Sequence, residues 1–179
     1  MEYVKIAKET MVKYILYFIV FLLSLYAHPH TFIEVYPTLI QKDGYVKQVN
    51  IKWLLDEMTS SMLIMEFDQN GDGKLDKKEN KYIRDNYFMT LQDYSFYTHI
   101  KDRYKVDNFH ATIKKNRIEY SFALIPLKKT RVKGFTMKFY DKDFFVSMQL
   151  KEKFITQKIP HIIKDIDGDW FYGYKIIYK

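Results

Sequence analysis

The chain contains no cysteine. That absence excludes disulfide bonds, thiolate metal sites, lipoprotein anchoring and a cysteine nucleophile. Proline and glycine are sparse, at 4 and 6 residues, and no Pro/Gly/Ser-rich linker divides the 179-residue chain, whose length fits one domain. No internal repeat or low-complexity stretch is present. A Ser-His-Asp signature, a phosphate loop and a dinucleotide fingerprint are all missing, so the sequence reads as a non-enzyme. The formal net charge is +7, but lysine is spread over the whole chain instead of forming a stripe. This suits solubility and attraction to an anionic membrane surface, not a nucleic-acid groove.

A membrane-crossing helix is also missing. The apolar run from Tyr14 to Tyr26 covers about thirteen residues, short of the roughly twenty that span a bilayer. Lys5, Lys8 and Lys13 precede it and Ala27 follows it, which is the pattern of a signal peptide over residues 1–27. Leu25 is a less usual residue than Ala three positions before the cut. Left uncleaved, the run would act as a membrane anchor. Loss of Lys5, Lys8 and Lys13 with Glu2 and Glu9 takes the net charge from +7 to +6. The expected mature protein is then residues 28–179, exported and not itself membrane-spanning.

What the chain does have is a complete loop of the calcium-binding type, Asp68 to Glu79 (DQNGDGKLDKKE). Ca²⁺ is a hard cation that takes oxygen ligands at loop positions 1, 3, 5, 7, 9 and 12. These are Asp68, Asn70, Asp72, the carbonyl of Lys74, Asp76 and Glu79. Gly73 fills the sixth position, where the chain turns sharply, and Leu75 fills the eighth, which packs inward. Several carboxylates in so short a loop repel each other without a cation. Leu63, Ile64 and Phe67 upstream, and Tyr82, Ile83 and Tyr87 downstream, fall at helical spacing.

The remaining pattern is mostly of period two. It predicts a strand over Thr31–Ile40, a turn at Lys42-Asp43-Gly44 and a second strand over Tyr45–Leu55. Thr59 and Ser60 offer caps for a helix running to Phe67, and a longer helix is expected from about Lys77 to His99. Further antiparallel strands are expected over Ala111–Lys114, Arg117–Ile125, Phe135–Tyr140, Phe144–Leu150 and Trp170–Tyr178. The fold class is α+β: a β-rich antiparallel, sandwich-like domain with an inserted EF-hand-like helix-loop-helix at about residues 57–99.

Several segments resemble, in order, a bacterial periplasmic family called domain of unknown function 1007. They are Ala27-His28-Pro29-His30-Thr31-Phe32-Ile33, Trp53 to Thr59, the calcium-type loop, Tyr94 to Ile100 and Phe139 to Leu150. The resemblance implies a periplasmic protein, often encoded beside nickel/cobalt permease-type transporters, with no established enzymatic activity. The C-terminal cysteine of some members is absent here, and the tail from Phe154 matches nothing in the family pattern.

The new N-terminus is a second candidate metal site. Cleavage after Ala27 gives His28 a free amine beside its imidazole, and His30 adds another imidazole. Imidazole suits Ni²⁺, Co²⁺, Cu²⁺ and Zn²⁺. Pro29 has no N–H, which blocks square-planar binding through backbone amides. What remains is a two-His clamp completed from elsewhere, with Asp56, Glu57, His99 and His110 as candidates. The competing reading makes His28 and His30 a polar entry to the first strand.

Asp56 and Glu57, if in a strand, point to opposite faces; Asp56 reads better as a helix cap. Asp165-Ile166-Asp167-Gly168-Asp169 fails as a second calcium loop, because Trp170 and Ile176 stand where Gly and Glu are needed. Asp167-Gly168 reads as a hairpin turn, His161 as a solvated loop residue and Trp53 as core.

Three functions follow. The first is a calcium-binding periplasmic accessory that presents Ni²⁺, Co²⁺ or a related ion to a membrane metal transporter. The second is a calcium-stabilised interaction module with no transition-metal role. The third is a copper enzyme built on the His28 clamp.

Overall fold

The computed structural model describes residues 13–14, 31–168 and 171–179. The expected signal peptide, His28 and His30 lie outside the described residues, apart from Lys13 and Tyr14, as does Trp170. Among the described residues no helix is long and apolar enough to cross a membrane.

Strand β1 (Thr31–Lys42) alternates inward and outward residues, burying Ile33, Val35 and Leu39. It turns at Asp43-Gly44, both at positive φ, and returns as β2 (Tyr45–Leu55) in antiparallel register, with Ile33 opposite Leu55. The chain then leaves the sheet for helix α1 (Glu57–Phe67) and, after the loop, helix α2 (Lys77–Ile83). It comes back as β3 (Thr98–Ile100), β4 (Tyr104–Lys114), β5 (Arg117–Pro126), β6 (Thr130–Arg131), β7 (Thr136–Tyr140), β8 (Val146–Gln149), β9 (His161–Asp167) and β10 (Tyr172–Tyr178).

Two sheets result. The larger runs β4-β5-β2-β1-β8, with β6 also on β2; the smaller runs β3-β7-β10-β9. One continuous core joins them, from Val35, Ile51, Trp53 and Phe122 of the first to Met137, Phe139 and Ile176 of the second. The fold is thus β-rich, with mostly antiparallel sheets. One expectation is corrected: β1 and β8 pair in parallel, Thr31 opposite Val146 and Glu34 opposite Gln149. The long connection between them, through every intervening element, is what permits a parallel pair.

The long second helix is also corrected. After α2 the chain makes a π-turn over Arg84–Phe88 and a 3₁₀ stretch over Met89–Tyr97. Ser95, Phe96 and Tyr97 then take positive φ, and His99 lies in a strand. The cause is aromatic burial. Trp53 packs against Phe88, Tyr97 and Phe122 at ring-centroid distances of 6.3, 6.0 and 5.0 Å. Phe88 stacks on Phe109 at 4.2 Å. A straight helix cannot aim Phe88, Phe96 and Tyr97 at one sheet face, so the backbone rewinds to do it.

Three strands escaped the sequence pattern, β3, β6 and β9. His161, expected in a solvated loop, opens β9 with a largely buried side chain, its Nδ1 2.7 Å from the Ile159 carbonyl. Phe144 and Phe145, expected in a strand, form the turn before β8.

Candidate functional site

Helix α1 is fixed in place before the loop begins. Asp56 caps α1. Its Oδ1 accepts from the Thr59 amide at 2.9 Å, and its Oδ2 accepts from the Phe32 amide at 2.9 Å and the Thr59 hydroxyl at 2.8 Å. Burial pushes the Asp56 carboxyl pKa up, but these donors outweigh it and hold the pKa below the ordinary value. The cap is therefore Asp56, with Thr59 and Ser60 already inside the helix. Ser60 is buried and accepts from the Ile118 amide of β5 at 2.9 Å.

The loop is organised by its own carboxylates. Asp68 Oδ1 accepts from the Asp72 amide at 3.1 Å, and its Oδ2 from the Gly73 amide at 2.9 Å. Asn70 Oδ1 accepts from the Asp72 amide at 2.9 Å, and Asp72 Oδ1 from the Lys74 amide at 2.8 Å. Gly73 sits at φ +77°, as the turn at position 6 requires. Asp76 caps α2, accepting from the amides of Lys78 and Glu79 at 2.7 and 2.8 Å. Glu79, the last position, is buried. Its two oxygens reach both ends of the loop, Oε1 to the Gln69 amide at 2.9 Å and Oε2 to the Asp76 amide at 2.8 Å.

The five side-chain donors Asp68, Asn70, Asp72, Asp76 and Glu79 thus belong to one closed turn. Each oxygen that accepts an N–H retains a further acceptor position for a cation. The set is all oxygen and carries four carboxylates, which fits Ca²⁺ in chemistry and number. Among the described residues, no group of three or more His, Cys, Asp or Glu side chains is already gathered as a metal centre. Ion binding would have to draw these carboxylates inward from their amide partners.

Residues outside the loop tie it to its surroundings; Phe67, Ile83 and Tyr87 were expected beside it from their helical spacing, whereas Asn80 and Glu66 were not. Asn80 Nδ2 donates to the carbonyls of Leu75 and Ala111 at 3.0 and 3.1 Å. Its Oδ1 accepts from the Ala111 amide at 2.6 Å. The Tyr87 hydroxyl donates to the Glu66 carboxylate, joining the exit segment to α1. Phe67 and Ile83 flank the loop and are fully buried. Only the position of Asn80 directly after the loop hinted at a role.

The residues considered for completing the histidine clamp lie on different elements. Asp56 and Glu57 stand at the β2–α1 junction, His99 in β3 of the smaller sheet and His110 on β4 of the larger one. His99 is committed locally: its ring stacks on Tyr140 at 3.9 Å and its Nε2 lies 3.1 Å from the Tyr140 carbonyl. Burial pushes its pKa below the ordinary histidine value. His110 is exposed. Asp56 alone touches the start of β1, through the Phe32 amide.

Comparison with known proteins agrees with the ordered resemblance in the sequence. The family described as "Protein of unknown function (DUF1007)" matches residues 14–161. An "Uncharacterized protein" of Haemophilus influenzae is 27% identical over 71% of this chain and 65% of its own length. An "Uncharacterized 15.5 kDa protein in trpE 3'region" of Spirochaeta aurantia is 30% identical over 48% of this chain and 66% of its own. The chain spans just under two thirds of the length of each of these two relatives. No solved structure matches. A match that runs from the apolar N-terminal run to the opening of β9 places this chain in the DUF1007 family.

Proposed function

We propose that this is an exported calcium-binding protein that serves as a periplasmic metal-handling accessory to a membrane transporter of nickel/cobalt type. In this reading the domain is sandwich-like and α1, the loop and α2 form an EF-hand-like hairpin. The observation that carries the calcium part is the closed loop in which Asp68, Asn70, Asp72, Asp76 and Glu79 supply oxygen donors around Gly73. Asp68, Asn70, Asp72, the Lys74 carbonyl, Asp76 and Glu79 would hold the ion. The bound charge would offset the repulsion among the carboxylates and brace α1 against α2. Because Asn80 bonds to β4, that bracing would reach the β-domain.

The transition-metal part rests on the His28 and His30 imidazoles and on the family resemblance. Here Ni²⁺ or Co²⁺ is cargo, to be passed to the transporter. The second reading is a calcium-stabilised interaction module without that cargo. It is favoured by the dispersal of His99 and His110 over two sheets, with His99 bonded to the Tyr140 carbonyl. A copper enzyme using the His28 clamp would need one of those two histidines as its distant ligand. Copper-dependent peroxide consumption is its test.

One experiment separates the first two readings. Protein exported and purified without chelator is analysed by elemental mass spectrometry, with its N-terminus sequenced. Calcium together with nickel, cobalt, copper or zinc on a chain beginning at His28 supports the accessory. Calcium alone supports the module. Absence of calcium, even after calcium is added back, defeats both.

A further inference from the structure

Strand register brings four features to one end of the larger sheet. Ile33 of β1 lies opposite Leu55 of β2, Leu54 opposite Glu119 of β5, and Thr31 opposite Val146 of β8. The start of β1, the β2–α1 junction, the Lys115-Asn116 hairpin tip and the turn before β8 therefore share that end.

This end exposes apolar side chains that a folded domain normally hides. Phe32 is 44% exposed and Phe144 43%. On α1, Met58, Met62 and Met65 are 65%, 54% and 79% exposed. Their spacing of four and three residues puts them on one stripe, opposite the buried Ser60 and Phe67. Met58 follows Asp56, whose carboxylate holds the Phe32 amide, so helix stripe and strand start adjoin. Apolar groups exposed together in this way mark a surface that meets something.

The turn that carries Phe144 is built to present it. Buried Asp141 accepts from the amides of Asp143, Phe145 and Val146, each at 3.0 Å. Phe144 itself sits at φ +60°, an outlying conformation for a bulky residue. Such strain persists where the surroundings impose it and is a pointer to use. On the same turn the Lys142 ammonium lies 5.9 Å from the ring of Tyr94, which is also partly exposed.

The side chains are of interfacial type: methionine, phenylalanine, a tyrosine, and exposed Lys114, Lys115 and Lys142. Glu57 and Asp143 are interspersed, so the patch itself is of mixed charge, and the whole chain's +7 supplies the long-range pull. Only residues 27–30 separate the apolar run Tyr14–Tyr26 from Thr31. In the exported-protein reading proposed above, that short link holds this end of the domain beside the membrane until cleavage after Ala27. We propose that this end, carrying Phe32, Met58, Tyr94, Lys142 and Phe144, docks on an anionic lipid bilayer. Its aromatic and thioether groups enter the headgroup region and its lysines meet lipid phosphates. Neither calcium nor a transition metal is needed for this contact.

The test is hydroxyl-radical footprinting of the mature chain, residues 28–179, on vesicles of equimolar phosphatidylglycerol and phosphatidylethanolamine. With the apolar run removed, the contact depends on the domain's own surface, and the readout is the orientation of the domain. Leu127, exposed at the far end of β5, is the internal control. The expected result is a several-fold loss of labelling at Met58, Tyr94 and Phe144, with Leu127 unchanged and the loss absent on phosphatidylcholine vesicles. Phe144→Gly keeps the fold, because glycine suits the positive φ, and weakens the protection of Met58 and Tyr94. Equal protection of Leu127, equal protection on phosphatidylcholine, or an unaltered footprint in Phe144→Gly overturns the proposal. So does protection that appears without lipid as protein concentration rises, which would identify a second copy as the occupant.

Discussion

Two loops in this protein are organised by carboxylates, and they use the same bond for different ends. In the turn before β8, one buried carboxylate, Asp141, takes three backbone N–H donors. In the loop between α1 and α2, four carboxylates share their donors across a largely exposed turn. The first loop is complete without a ligand. The second is closed by the same kind of contact but holds more negative charge than its amides can balance. Burial and the ratio of carboxylates to donors separate a self-contained turn from the loop proposed to take an ion.

The sharpest way to break this comparison is Asp141→Ala. It leaves three N–H groups without their acceptor, and the expected loss is about 3 kcal/mol in denaturant unfolding. A loss under about 1 kcal/mol would mean that water replaces the carboxylate and that the turn is not self-contained. The opposite loop should respond to ligand instead. At free calcium a hundredfold above its dissociation constant, the wild type should gain about 2.7 kcal/mol. Glu79→Gln should lose most of that gain while unfolding almost normally in chelator, because its amide oxygen still accepts one N–H. An equal calcium response in wild type and Glu79→Gln would remove Glu79 from the ligand set.

A smaller effect tests whether the loop's hydrogen bonds matter without the ion. In chelator, Asp76→Ala removes the α2 cap and should cost about 1 kcal/mol. No change in melting would show that α2 is held by Asn80 and packing alone. The smallest effect lies away from both loops. Burial depresses the His99 pKa, so the unfolded chain takes up the proton more readily. The stability from neutral His99 is full above about pH 6.5, the ordinary histidine value, and declines as pH falls toward the folded value. Thermal melts across that window should show a slope that His99→Gln reduces. An identical slope in the variant would assign the pH dependence to other groups.

The comparison also explains what was legible. The loop between the helices was readable because its donors are contiguous and their spacing is set by one turn of chain. The β1–β2 hairpin was readable for a similar reason: alternation over Thr31–Ile40 and Tyr45–Leu55 surrounds Asp43-Gly44. The gap between the strands expected over Phe135–Tyr140 and Phe144–Leu150 implied a turn at Asp141, but nothing local announced a buried carboxylate that cages it. The break after Ile83 was invisible. Residues 84–98 contain neither glycine nor proline, and Ser95, Phe96 and Tyr97 adopt positive φ without a local signal. Strand β9 was missed because its outward residues, among them Ile162 and Asp165, blur the period-two pattern.

The sequence by itself determined the family, the oxygen-rich donor set of Asp68–Glu79 and the pairing of the first two strands. All three reside in short stretches whose chemistry is set by neighbours along the chain. Only the tertiary structure decided that β8 joins β1 in parallel and that Trp53 draws Phe88 and Tyr97 into one cluster. It also placed His99 on Tyr140 and Phe32, Met58 and Phe144 at one end of a sheet. Those outcomes depend on burial between segments far apart in sequence, where hydrophobic packing and long-range register outweigh local propensity.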